Sequence, residues 1–163
     1  MSITPQQLLT LGLLKGFGGD TNMSTADRAG FPVTISHYQD PETGGVYHDE
    51  WAADRAGGGQ ELVRVGEQQF TRVYAGGTIS VAAMAKLGIT KQDVMVFLMK
   101  MITQLGDETR LEKDCPAVLD GDWQYEYAVK ERLPEIPLTC GKETISYKGE
   151  VVFVHWFLLT EVE

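Results

Sequence analysis

The sequence predicts an α+β fold: an antiparallel sheet built from two pseudo-repeated strand-plus-hairpin halves, joined by a central amphipathic helix packed on one face. Three observations carry this expectation. The stretch GGQELVRVGEQQFTRVYAGG, Gly58 to Gly77, is echoed by CGKETISYKGEVVFVHWFLL, Cys140 to Leu159. An aromatic alternating stretch precedes each copy, Tyr47-x-Asp49-x-Trp51 in the first half and Trp123-x-Tyr125-x-Tyr127 in the second. Between the halves, Val94, Phe97, Leu98, Met101, Ile102 and Leu105 recur at helical spacing and form one continuous apolar face.

Taken in order, Thr4 and Pro5 form an N-cap and first-turn pair, and Leu8, Leu9, Leu11 and Leu13 predict a short helix stopped by Gly16, Gly18 and Gly19. The polar segment from Asp20 to Gly30 reads as a loop. Val33 to Tyr38 alternates as a strand, QDPETGG (Gln39 to Gly45) has turn chemistry, and Val46 to Trp51 is the next strand. AADRAGGG then interrupts the pattern and reads as a break. Gln60 to Val65 pairs with Gln68 to Ala75 around Gly66-Glu67, a pair suited to a type II′ turn. Ser80 to Leu87 predicts a short helical segment, Thr90-x-x-Asp93 a capping box, and Gly106-Asp107 a stop. A polar stretch comes next, and strands resume from Trp123 to Val129. The expected organisation is one domain over 1–163, with repeats at about 31–77 and 120–160 linked by a helical region at 80–106.

Aligning the hairpins matches Gly59-x-Glu61 with Gly141-x-Glu143, Gly66-Glu67 with Gly149-Glu150, Phe70 with Phe153 and Tyr74 with Phe157. A two-residue turn at Gly66-Glu67 places Glu61 opposite Arg72, because directly opposed side chains share a face. A three-residue loop at the second turn places Glu143 opposite or diagonal to His155, whereas a two-residue Lys148-Gly149 turn flips the Glu143 strand and breaks the match. Each half then carries a carboxylate and a cationic or titratable partner on an aromatic face. One reading is a pair of sheet-rim ion pairs of about 0.2–1 kcal/mol each. The other is a ligand pocket with Glu61, Arg72, Glu143 and His155 as its polar groups and Tyr47, Trp51, Phe70, Tyr74, Phe153 and Phe157 as its lining.

The chain has 163 residues and a net charge of −9, a balance that disfavours both nucleic acid and anionic membrane surfaces. Its two cysteines, Cys115 and Cys140, lack CxxC spacing and read as free thiols. No nucleophile-elbow, zincin or phosphate-loop spacing occurs, so no catalytic residue, cofactor or metal site is assigned. No secretory leader pattern is visible and the longest apolar run is too short to span a bilayer, which predicts a cytoplasmic protein.

Across roughly Gly30 to Phe157 the chain resembles an uncharacterised bacterial domain family often fused behind XRE-type helix-turn-helix domains. The resemblance rests on Tyr47-x-Asp49, Gly59-x-Glu61, the Gly66 turn with its aromatic strand, Asp122-Trp123, Gly141-x-Glu143 and the closing aromatic strand. The sequence departs from it in having no helix-turn-helix and in closing on Phe157-Leu158-Leu159. What the resemblance implies is a ligand-sensing or interaction role, with no catalytic residues.

Three functions are expected from these features. The first is a small-molecule-binding or sensor module. The second is an acidic interaction protein, a homodimer or an inhibitor of a basic partner, using its apolar final strand as an edge or patch. The third is an enzyme using a carboxylate and histidine pair.

Overall fold

The structure, a computed structural model, describes residues 3–16 and 23–162. Its elements are helix α1 (Pro5–Gly16), strands β1 (Met23–Arg28), β2 (Phe31–Gln39), β3 (Val46–Ala53), β4 (Ala56–Val65) and β5 (Gln68–Thr78), helices α2 (Val81–Leu87) and α3 (Lys91–Leu105), and strands β6 (Cys115–Asp120), β7 (Trp123–Leu133), β8 (Leu138–Tyr147) and β9 (Glu150–Glu161). The nine strands form one antiparallel sheet in the order β1-β2-β3-β4-β5-β9-β8-β7-β6. The fold is therefore α+β, made of two meanders that meet where β5 pairs with β9. β9 lies inside the sheet, which corrects the expectation of a free edge there; the edges are β1 and β6.

Local chemistry accounts for the helices. Gln7 N donates to Thr4 Oγ1 at 3.2 Å and Thr4 N to Gln7 Oε1 at 3.0 Å, a reciprocal cap that starts α1. The stop expected at Gly18 and Gly19 lies outside the described residues. α1 buries Leu8, Leu9 and Leu13 and seats Gly12 against the ring of Tyr47, where a Cβ would overlap the ring. α3 starts at the expected box, with Thr90 N donating to Asp93 Oδ2 at 2.8 Å and Asp93 N to Thr90 Oγ1 at 3.2 Å. Val94, Phe97, Leu98, Met101 and Ile102 are buried, and Phe97 stacks on Trp123 of β7 with centroids 5.1 Å apart.

Several expectations about the strands are corrected. Within the supposed loop from Asp20 to Gly30, Met23–Arg28 is an edge strand that turns into β2 at Ala29-Gly30, both at positive φ (55° and 89°). Residues 20–22 lie outside the described part. Its side chains are mostly exposed, so no apolar alternation marks it. AADRAGGG is no break either: β3 turns at Asp54-Arg55 and pairs with β4 from Val46↔Arg64 to Ala53↔Gly57. Gly59 sits opposite both Trp51 and Tyr74, where a Cβ would press on the Trp51 side chain and the Tyr74 hydroxyl. A strand in a crowded aromatic row needs glycine there, and that glycine disguises it in the sequence. The polar stretch after Gly106 holds a 3-10 turn, Gly106–Glu108, and then Thr109, Arg110 and Leu111, all buried.

The second hairpin reaches the expected register by an unexpected route. Its turn is the two-residue Lys148-Gly149, at φ 50° and 82°, with Tyr147 opposite Glu150. Taken alone this turn would flip the Glu143 strand. The register shifts between Ile145↔Phe153 and Ser146↔Val151, leaving Val152 as an extra residue, and this bulge restores the parity. Glu143 consequently stands opposite His155. The carbonyl of Val152 accepts from Ile79 N at 3.0 Å, which ties the bulge to the segment leading into α2.

The outer face of the central strands carries Leu62, Val73, Trp156 and Leu158, each exposed. No helix among the described residues is long and apolar enough to cross a membrane.

Candidate functional site

Strand alternation sends Asp49, Glu61, Arg72 and Glu143 to the inner face of the sheet, and burial rules out the sheet-rim reading of the ion pairs. Glu61 and Arg72 are opposed across β4 and β5, at 2% and 1% exposure. Arg72 Nε donates to Glu61 Oε2 at 2.5 Å and Nη2 to Oε1 at 2.7 Å, a bidentate geometry. Tyr47 donates its hydroxyl to Glu61 Oε1 at 3.1 Å, and the remaining Arg72 nitrogen, Nη1, donates to the carbonyl of Arg110 at 2.8 Å.

Glu143 has a partner that the hairpin pattern does not contain. Arg110 Nε and Nη2 donate to its two oxygens at 2.7 and 2.8 Å, and Tyr125 donates its hydroxyl at 2.7 Å. Burial pushes the Glu143 carboxyl up, but the charge and hydrogen bonds of Arg110 outweigh this and hold it below the usual carboxylate range. His155 Nδ1 lies 3.7 Å from Glu143 Oε2, beyond hydrogen-bond length, and has no hydrogen-bond partner among the described residues. Burial pushes the imidazole down to about 4, against the pull of Glu143, so His155 is neutral near pH 7. Phe157 lies between the two guanidinium groups, with Arg72 Cζ 5.3 Å and Arg110 Cζ 5.2 Å from its ring centre.

Beside this cluster, between the sheet and the helices, is a cavity of about 290 Å³. Asp49, Glu61, Tyr74 and His155 contribute from the sheet, Arg110 from the segment after the 3-10 turn, and Leu13, Met95, Leu98 and Ile102 from α1 and α3. At its mouth Lys91 Nζ of α3 meets Asp54 Oδ1 of the β3–β4 turn at 2.8 Å. Asp49 is 3% exposed and accepts from the Tyr74 hydroxyl at 3.2 and 3.3 Å. Burial first, and then the facing charge of Glu61, push its carboxyl up to about 8. Burial likewise raises the Tyr74 phenol.

Of the residues singled out from the sequence, Glu61, Trp51, Tyr74, His155, Phe153 and Phe157 line this cavity. Arg72 and Glu143 are among the groups that hold its floor, through Glu61 and Arg110 respectively. Tyr47 lies behind Glu61, and Phe70 is core packing opposite Val63. Sequence reasoning missed Asp49 and Arg110 as site residues. Asp49 had a legible signal, the shared parity of Tyr47, Asp49 and Trp51. Arg110 had none, because it is set among the charged residues of DETRLEK and reaches Glu143 only through the tertiary fold.

Among the described residues no group of three or more His, Cys, Asp or Glu side chains is placed to hold a metal ion. Cys115 and Cys140 are free thiols. Comparison with protein-family models, curated proteins and solved structures finds no match for this chain.

Proposed function

We propose that the protein is a small-molecule-binding module, of the kind used for sensing, whose ligand occupies the cavity between the sheet and α3. The observation that carries this reading is a cavity of about 290 Å³ with polar groups converging on its floor and apolar side chains on its helical roof. Small-ligand sites are built this way, with polar groups fixing orientation and apolar walls supplying contact area. The rigidity of the floor supports it further. Glu61 with Arg72 and Glu143 with Arg110 are bidentate and buried, so the floor is held without a ligand. We read the matching order of the two hairpins as a duplicated ribbon, with α3 as the cover laid across both copies.

Met95 lines the cavity from α3 and is only partly buried, so Met95→Trp fills the space from the roof without disturbing the floor. A metabolite screen by thermal shift is expected to find ligands that raise Tm in proportion to RT ln(1 + [L]/Kd). Met95→Trp should remove that response while retaining the cooperative melt of the parent. A screen in which no compound stabilises the parent, or in which every hit survives the substitution, overturns the reading.

A further inference from the structure

The chemistry of the floor narrows the class of ligand, provided that the cavity is a ligand site as proposed above. The buried ionisable groups around it are unequal in number by sign: the carboxylates Asp49, Glu61 and Glu143 against the guanidinium groups of Arg72 and Arg110. Each guanidinium is already taken bidentately by a glutamate. Among the described residues no lysine, arginine or histidine approaches Asp49 to ion-pair distance, and a single hydroxyl, that of Tyr74, donates to it. An ionised carboxylate has about four acceptor sites, and Asp49 lines the cavity, so acceptor capacity remains for a ligand.

The other charged groups do not supply a cation to an ionised Asp49. His155 on β9 is neutral near pH 7. Leu13 of α1 and Met95, Leu98 and Ile102 of α3 line the cavity and carry no charge. Asp54, Arg55 and Lys91 stand at the exposed mouth, where solvent screens them, and Lys91 is held by Asp54. A second observation points to a ligand independently. Thr78, 5% exposed and lining the same cavity, has a hydroxyl with no hydrogen-bond partner, although its backbone N–H is bonded to the carbonyl of Arg55 and its own carbonyl accepts from the Arg55 side chain.

We propose that the ligand is a small organic ammonium, its cationic head set against Asp49 and Tyr74 and its apolar body under Met95, Leu98 and Ile102. Trp51 and Tyr74 add aromatic surface near the head, which favours a cation over a neutral group. An anionic ligand would meet Asp49 and Glu61 on a floor whose two arginines, Arg72 and Arg110, are already occupied, with Arg55 only at the exposed mouth. The cavity has room for about ten groups of water size, at ~30 Å³ each, which suits an arylalkylamine or a compact alkylamine. Near pH 7 the free site keeps a proton on Asp49, so binding of a cation releases that proton and a neutral ligand releases none.

The test compares phenethylammonium with 2-phenylethanol, its neutral analogue of nearly the same shape, by isothermal titration calorimetry of the parent and of Asp49→Asn. Near pH 8 the ammonium is expected to bind at least about tenfold more tightly than the alcohol. Asp49→Asn, which keeps a side-chain oxygen for Tyr74, should abolish that preference and bring the two to comparable affinity. Near pH 7, titrations of the parent in buffers of different ionisation enthalpy should show proton release with the ammonium alone, a readout that holds even if the variant does not fold. If both probes bind the parent equally, or Asp49→Asn keeps the preference for the ammonium, the cation assignment falls while the cavity remains a ligand site. If neither probe binds, the cation assignment falls, and the metabolite screen with Met95→Trp decides separately whether the cavity is a ligand site.

Discussion

Glu143 is fully buried, and Arg110 and Tyr125 supply the donors its two oxygens accept. Such a pair adds little net stability over an apolar pair of the same shape, yet removing one partner strands the other charge. Arg110→Met is therefore expected to lower unfolding free energy by about 3–5 kcal/mol in urea titration. Adding Glu143→Gln should recover much of that loss, because it removes the stranded charge. A single variant within about 1 kcal/mol of the parent would show that Arg110 does not neutralise Glu143. Arg110 holds its place from a left-handed backbone conformation at φ 61°, one seldom adopted by a residue with a side chain. Its carbonyl, taken by Arg72 Nη1 at 2.8 Å, joins the two ion pairs into one network.

At the scale of elements, α1 is the clearest case of packing overriding propensity. Replacing glycine by alanine inside a helix ordinarily stabilises it by about 1 kcal/mol. Gly12 is inside α1, but its missing Cβ is the space into which the Tyr47 ring fits. Gly12→Ala must push α1 off β3 or displace Tyr47, whose hydroxyl donates to Glu61. Overpacking of this kind costs about 1–3 kcal/mol, so the sign reverses and the urea midpoint should fall. A midpoint that rises would mean that α1 is not seated on Tyr47. The bulge at Val152 is the corresponding device in the sheet, since it lets a two-residue turn and an inward-facing Glu143 coexist in one hairpin.

For the whole molecule, buried titratable groups set how stability depends on pH. Asp49 binds its proton more tightly folded (about 8) than in its ordinary state (3.8), so its contribution is complete below the lower value and is lost as pH rises toward the upper one. His155 is pushed the other way, from 6.5 down to about 4, so it adds stability with rising pH across that window and nothing beyond it. Each slope is about 1.4 kcal/mol per pH unit. The two oppose each other between pH 4 and 6.5, and Asp49 alone acts between 6.5 and 8, where stability should fall by roughly 2 kcal/mol. Chemical denaturation across that range reads the fall directly, and Asp49→Asn should flatten it. A parent profile that is flat or rising there would contradict a buried, protonated Asp49.

The amino-acid sequence alone determined what depends on neighbours: the capping box at Thr90 and Asp93, the apolar face of α3, the turn at Gly66-Glu67, and with that turn the opposition of Glu61 and Arg72. These arise from spacing, since side-chain parity and helical period are properties of a short stretch of chain. The tertiary structure decided what depends on distance and crowding. It shows a strand in AGGG because Trp51 and Tyr74 leave no room for a Cβ opposite them. It places a strand at Met23–Arg28 because an edge can pair through its backbone without burying side chains. It also brings Arg110 to Glu143 across 33 residues of chain, an encounter that no local pattern encodes, because the buried carboxylate requires a cation and only the folded sheet sets which one arrives.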